Sequence, residues 1–213
     1  MGTLKKELTS KSSANISRRF AFSLFSYILL KTTNVIAKCN STPMQSTGPF
    51  FKNNNLGTTS DMTNARKALG DVIQIQGRVL DIYCKPYPET IIKIWQANSF
   101  GKYSHISDIS NNKTDDNFYG YTMIKTDKLG FYKFKTIIPG SYKISNNIIR
   151  PPHIHFLLKT RKNKKLSTQL YFKGHPHNKN DFLYNSVKNN SLLETNLTKA
   201  KNGLKVGVFN III

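Results

Sequence analysis

From Asp71 onward the chain is a succession of short bursts rich in β-branched and aromatic residues: VIQIQGRVLDIY, TIIKIWQA, YTMIK, FYKFKTI, HIHFLLK, STQLYF and KVGVFNIII. They are too short for stable helices and show no helical period, so each reads as a strand. Turn formers punctuate them: Lys85-Pro86-Tyr87-Pro88, Asn98 to Gly101, Asp127 to Gly130, Pro139-Gly140 and Arg150-Pro151-Pro152. This spacing predicts an all-β domain over residues 71–213, a β-sandwich of antiparallel or mixed sheets.

Upstream, residues 39–70 begin CNSTPMQSTGPFF and continue as a polar Asn/Thr/Ser-rich tract without a sustained period, which predicts an extended N-terminal arm. In residues 1–38, Lys5, Lys6, Lys11, Arg18 and Arg19 stand against Glu7, and an uncharged apolar run follows from Phe20 to Leu30. That is the layout of a secretory signal. The run is shorter than the ~20 residues of a membrane span, and Ser17-Arg18-Arg19 resembles a twin-arginine signal. The expectation is an exported protein, periplasmic or secreted, cleaved near Cys39. If Lys38 blocks cleavage, the segment instead anchors it to the membrane.

The chain of 213 residues carries a formal net charge of +21. Charge of that size suits phosphate, an anionic membrane or an acidic substrate. The lysines are spread along the sequence among asparagines, and no nucleic-acid-binding pattern organises them, so no specific nucleic-acid partner is expected. The same charge would help to collect an anionic aromatic acid. Cys39 and Cys84 are too few for a disulfide framework or a cysteine metal site, and they leave the redox compartment open.

The segment with the most chemistry is Arg150-Pro151-Pro152-His153-Ile154-His155-Phe156. On a strand, His153 and His155 share a face while Ile154 enters the core opposite. A His-x-His pair is common as plain structure, and His175-Pro176-His177 repeats the spacing in a loop-like stretch. No cysteine lies near, and the local carboxylates do not supply the third ligand of a His-carboxylate site, which argues against a thiolate site or a facial triad. Tyrosines remain. A phenol has a pKa of about 10, but a hard trivalent cation strongly favours the phenolate, so two imidazoles and two phenolates would suit ferric iron.

Seven segments in order, TPMQSTGPFF, GRVLDIYCKPYPET, IWQANSFGKYSH, DDNFYGY, TDKLGFYKFKTIIPGSY, RPPHIHF and TQLYF, run from Thr42 to Phe172, with a final strand at Val206 to Ile213. Together they resemble the intradiol ring-cleavage dioxygenases, specifically the protocatechuate 3,4-dioxygenase type and its exported relatives. The resemblance implies Fe(3+) held by Tyr103, Tyr142, His153 and His155, with Tyr142 and His155 as the axial pair. It gives Arg150 the role of stabilising negative charge on the bound ring. Gln169 would be a glutamine close to ligands and substrate, or else a strand-edge hydrogen-bonding residue. The implied reaction opens a catechol or protocatechuate-like ring between its hydroxyl carbons with O2, giving a cis,cis-muconate-type product. A homo- or hetero-oligomer is implied, because that type often completes its pocket with a second kind of subunit. The alternative is a non-catalytic β-sandwich binding module on the same scaffold.

Some positions depart from the family pattern. Ile144 and Ile149 stand where tryptophans are common, Pro152 replaces the usual alanine, and the acidic residue often found after TQ-x-YF is replaced around His175. Gly77, Gly101, Gly130 and Gly140 read as turn or bulge positions, and Trp95 as a core residue.

Overall fold

Strand β1, Val72–Leu80, alternates between buried and less buried positions along nearly its whole length, the burial pattern of a sheet with one face in the core. A computed structural model describes residues 38–53, 57–145 and 147–213; the predicted export signal up to residue 37 lies outside the described residues.

Antiparallel to β1 runs β4 (Phe131–Ile137), in register from Val72↔Ile137 to Arg78↔Phe131. Two parallel partners complete the neighbourhood of β1: β11 (Lys205–Val208), which pairs Ile73 with Lys205, and β12 (Ile211–Ile212), which pairs Val79 with Ile211. The offset is the same in both, so these are one strand interrupted at Phe209 and Asn210. The interruption is bridged by Asn210, whose Oδ1 accepts the Arg78 amide at 2.9 Å. It also requires Gly77, where an added Cβ would lie 1.9 Å from the Phe209 carbonyl oxygen. Strand β10 (Leu197–Lys199) lies antiparallel on β11.

The second sheet has the order β3-β2-β7-β8-β9, with β2 Ile91–Trp95, β3 Tyr121–Lys125, β7 His153–Lys159, β8 Lys165–Phe172 and β9 Glu194–Thr195. Its pairs are antiparallel except β8 with β9. Ile92, Ile94, Ile154, Phe156, Leu158 and Leu170 from this sheet join Ile73, Ile75, Phe134, Phe209 and Ile211 from the first in one core. Full burial of each such side chain contributes about 1.5–3 kcal/mol. The fold is therefore the expected mixed β-sandwich. Among the described residues there is no α-helix, only 3-10 turns at Asn178–Asn180, Tyr184–Ser186 and Asn190–Leu193.

Two features exceed the sequence reading. A short hairpin of β5 (Tyr142–Ser145) and β6 (Ile148–Arg150) occupies the stretch before the histidine strand. Cys39 and Cys84 are joined in a disulfide, a pairing that two isolated cysteines did not signal.

The segment after Cys39 crosses from one sheet to the other. Thr42 exchanges hydrogen bonds with Ile212 beside β1, its amide donating to the Ile212 carbonyl at 3.0 Å and its hydroxyl accepting at 2.9 Å. Three residues later the Gln45 amide donates to the Ser167 carbonyl on β8 at 2.8 Å.

Candidate metal centre

Strand β7 is buried on both faces near its start, from His153 to Phe156. Ile154 and Phe156 face the sandwich core. His153 and His155 face outward, yet are 1% and 2% exposed because loops cover them. Directly opposed residues of neighbouring strands share a face. The pairs Trp95↔His155, His155↔Gln169 and His153↔Tyr171 therefore assemble Trp95, His153, His155, Gln169 and Tyr171 on one patch of sheet.

Two loops bring tyrosines over that patch. Asn98 organises the first: its Oδ1 accepts the amides of Phe100 and Lys102 at 2.9 and 3.0 Å. Asp108 then accepts the Tyr103 amide at 2.7 Å and pairs with the Lys102 ammonium at 3.2 Å. The second loop carries Tyr142 after Pro139-Gly140. The loops touch backbone to backbone. A Cβ on Gly101 would lie 2.4 Å from the Ser141 carbonyl oxygen, and one on Gly140 would lie 2.5 Å from the Gly101 amide nitrogen. Gly101, with φ +76°, also serves its turn. The two glycines thus do more than turn the chain, since they let the two phenols meet.

Three donor atoms converge. The Tyr103 hydroxyl lies 3.3 Å from His153 Nε2 and 3.2 Å from His155 Nε2, and the two imidazole nitrogens are 3.2 Å apart. Tyr142 adjoins them, with ring centroids 5.5 Å from Tyr103 and 5.7 Å from His153, and is less buried than the other three. The structure thus brings together all four residues that the resemblance named.

The protonation states can be argued. His153 Nδ1 lies 2.7 Å from the Pro151 carbonyl oxygen, which can only accept, so the ring proton sits on Nδ1 and Nε2 presents a lone pair. His155 Nδ1 is buried without a hydrogen-bond partner. Burial, then the charge of Arg150, hold His155 down to about 3, and the same causes with His155 added hold His153 well below the usual histidine range. Both rings are therefore neutral. Burial, then the neighbouring Tyr142, push the Tyr103 phenol well above its ordinary value, and burial raises Tyr142 as well. Without a compensating cation the phenols stay protonated.

A multivalent cation fits this arrangement. It would bind through the Nε2 atoms of both imidazoles, which stand 3.2 Å apart, and would supply the charge that turns buried phenols into phenolates. Among the described residues no group of three or more His, Cys, Asp and Glu side chains is placed to hold a metal. The phenols complete the donor set, and hard oxygen with imidazole nitrogen suits ferric iron.

Arg150 is 5% exposed and sits across from Tyr142 in the β5–β6 hairpin. Its Nε donates to Asp181 Oδ2 at 2.5 Å, and its Nη2 donates to Gln169 Oε1 at 2.8 Å and to the Tyr171 hydroxyl at 3.1 Å. Gln169 therefore spends its carbonyl on Arg150, while its Nε2 donates to the Ser46 carbonyl at 2.9 Å. Sequence reasoning missed Asp181 and Tyr171. It noted that an acidic residue was replaced around His175; an acid does stand six residues further on, at Asp181. His175 and His177 pack against each other, 5.4 Å between ring centroids.

Aromatic rings seal the centre. Trp95 is a core residue that also stacks on His155, 4.8 Å between centroids and 4° between planes. Phe50 stacks on Tyr103 at 4.4 Å, and Phe51 packs on Trp95 at 4.9 Å. Gly48 brings its backbone close to the His155 ring, where a Cβ would sit 3.5 Å from Cε1.

Comparison with known proteins gives the family and the fold. The family model described as Dioxygenase matches residues 46–212. The protocatechuate 3,4-dioxygenase beta chain of Burkholderia cepacia is 41% identical over 121 residues, which cover 55% of this chain and 52% of that one. The chain spans about half the length of the curated relatives it matches. The dioxygenase domain of a dioxygenase carbohydrate-binding protein fusion from Streptomyces sp. SirexAA-E superposes with a TM-score of 0.66 at 26% identity, covering 82% of this chain and 98% of that domain. The intradiol ring-cleavage dioxygenase from Tetranychus urticae gives a TM-score of 0.68 at 21% identity over 82% of this chain and 95% of that one, a likeness of fold. With a family match across most of its length, the chain belongs to the intradiol ring-cleavage dioxygenase family.

Proposed function

We propose that the protein is a non-haem Fe(3+) intradiol dioxygenase that opens a catechol or protocatechuate-like ring between its two hydroxyl carbons with O2, releasing a cis,cis-muconate-type dicarboxylate. The observation that carries this reading is the convergence of Tyr103, His153 and His155 within 3.3 Å of one another, with Tyr142 alongside. Iron would be held by these four residues and, when bound, supplies Lewis acidity toward a catecholate and reactivity toward dioxygen.

The chain's own groups do the rest. Tyr142, the least buried of the four, is the phenol placed to exchange with substrate, and its oxygen can take up a catechol proton. Arg150 cannot lose its proton, and beside Tyr142 it stabilises negative charge on the ring. Phe50, Phe51 and Trp95 keep water from the Tyr103 and His155 side. Ile144 and Ile148 on the hairpin and Phe182 beside Arg150 form an exposed apolar rim, 49%, 39% and 52% exposed. That rim and a relative named as a beta chain support assembly into a homo- or hetero-oligomer. The signal-like start and the Cys39–Cys84 disulfide support export to an oxidising compartment.

The test combines metal analysis, a visible spectrum and oxygen uptake over a panel of catechols that includes protocatechuate. The expected protein holds about one iron per chain, is reddish from phenolate-to-iron charge transfer, and consumes oxygen with at least one member. Colourless protein that binds only zinc and consumes no oxygen after iron loading overturns the reading.

A further inference from the structure

We propose that Asp181 is a positioning residue for this reaction: its carboxylate holds the Arg150 guanidinium so that the Nη1 edge is left for the substrate. The inference rests on the functional reading above and extends it to a residue outside the metal centre.

The geometry is one-sided. Every hydrogen bond of Arg150 to the described side chains uses Nε or Nη2: Asp181 on the first, Gln169 and Tyr171 on the second. Nη1 has no hydrogen-bond partner among them. The Phe182 ring lies beside the guanidinium, 5.7 Å from its central carbon. A guanidinium has a rigid planar fork. Fixing Nε and Nη2 therefore fixes where Nη1 points.

Asp181 is itself held firmly. It is 0% exposed, and its Oδ1 accepts the Tyr184 amide at 2.7 Å, leaving Oδ2 for Arg150. The surrounding segment is tied to the sheet and closed on itself: Asn178 Nδ2 donates to the Phe172 carbonyl and Asn185 Nδ2 to the Asp181 carbonyl, both at 2.9 Å. The arm backs the same cluster, because Tyr171 is within 3.3 Å of Gln45 Oε1 and Gln45 Nε2 donates to the Leu183 carbonyl at 3.0 Å. Gln169 and Tyr171 are neutral, so Asp181 is the one anion in direct contact with Arg150 among the described residues. A buried cation without it would turn toward water or toward the metal's phenolates.

A mutant cycle tests this with Asp181→Asn, Arg150→Met and the double variant, each loaded with iron and assayed on the catechol that the wild type turns over best. The expected result for Asp181→Asn is a kcat lowered at least 10-fold with iron content and visible band retained. The double variant should match Arg150→Met within about twofold, since the residue acts through Arg150. In metal-free protein, the protected 1H–15N signal of Arg150 Nε should broaden or vanish in Asp181→Asn. Unchanged kcat, or losses that multiply in the double variant, overturns the inference. If Asp181→Asn does not fold, Asp181→Glu takes its place: the longer stem keeps the charge but displaces Nε, so kcat should still fall, and wild-type kcat overturns the inference. A wild type that turns over no catechol defeats the functional reading instead, while the Arg150 signal still reports whether Asp181 holds the guanidinium.

Discussion

The indole of Trp95 and the imidazole of His155 lie nearly parallel, 4.8 Å apart at 4°, so His155 is oriented by packing, whereas His153 is oriented by its hydrogen bond to Pro151. A metal-binding histidine normally donates its second nitrogen to a fixed acceptor. His155 Nδ1 has none, and Trp95 takes over that duty.

Replacing His153 or His155 with alanine should therefore abolish iron binding and the visible band, with the β-sheet circular dichroism kept, because the sandwich core is built on the other face of β7. Trp95→Ala should weaken iron retention by roughly 10-fold while leaving all four ligands in place. Competition with a chelator, followed at the charge-transfer band, measures both effects.

Arg150→Leu should keep iron and colour and lose turnover by about 10² or more, as expected for removal of a charge that acts in the transition state. Steady-state oxygen uptake on iron-matched protein checks it. Near-normal turnover would make the arginine a structural partner of Asp181.

Reduction or Cys39→Ser should destabilise the fold by about 4 kcal/mol, the chain-entropy value for a loop of this length; the bridge spans a sequence separation of 45. In a domain of this size that corresponds to a fall in Tm of roughly 10 °C. Calorimetry with and without reductant reads it. The metal centre should survive, since Thr42, Gln45 and Ser46 hold the arm independently.

Gly77→Ala should cost about 3 kcal/mol, because the added methyl meets the Phe209 carbonyl oxygen and neither strand can retreat without losing register. Gly57→Ala, where nothing lies within 4 Å of the new carbon, is the control. Urea unfolding of the two variants gives the comparison.

Much of this was legible in sequence. Every β-rich burst became a strand because alternation and turn chemistry act locally, as VIQIQGRVL shows with its alternating burial. The His153/His155 pair and the two tyrosines were legible because a period of two and two glycine-marked loops carry them. The β5–β6 hairpin was not, since YKIS and IIR are short and have little buried side to pattern. Asp181 was invisible for another reason. It lies in an Asn/Lys-rich stretch with no period, and only the long-range pairing of β8 with β9 folds that stretch back over Arg150. The disulfide joins residues that local rules do not connect.

The crossing segment after Cys39 has a consequence for the order of events during synthesis. Thr42 leaves the ribosome early, but its partner Ile212 is made 170 residues later, and Gln45 waits for Ser167. Phe50 and Phe51 find their packing partners Tyr103 and Trp95 sooner, but the hydrogen bonds that anchor the leading segment form only once β8 and β12 exist. Iron bound at the proposed centre would thus have its widest access in a chain whose sandwich has formed but whose leading segment has not yet closed. Closing that segment would then turn a loading site into a retaining one.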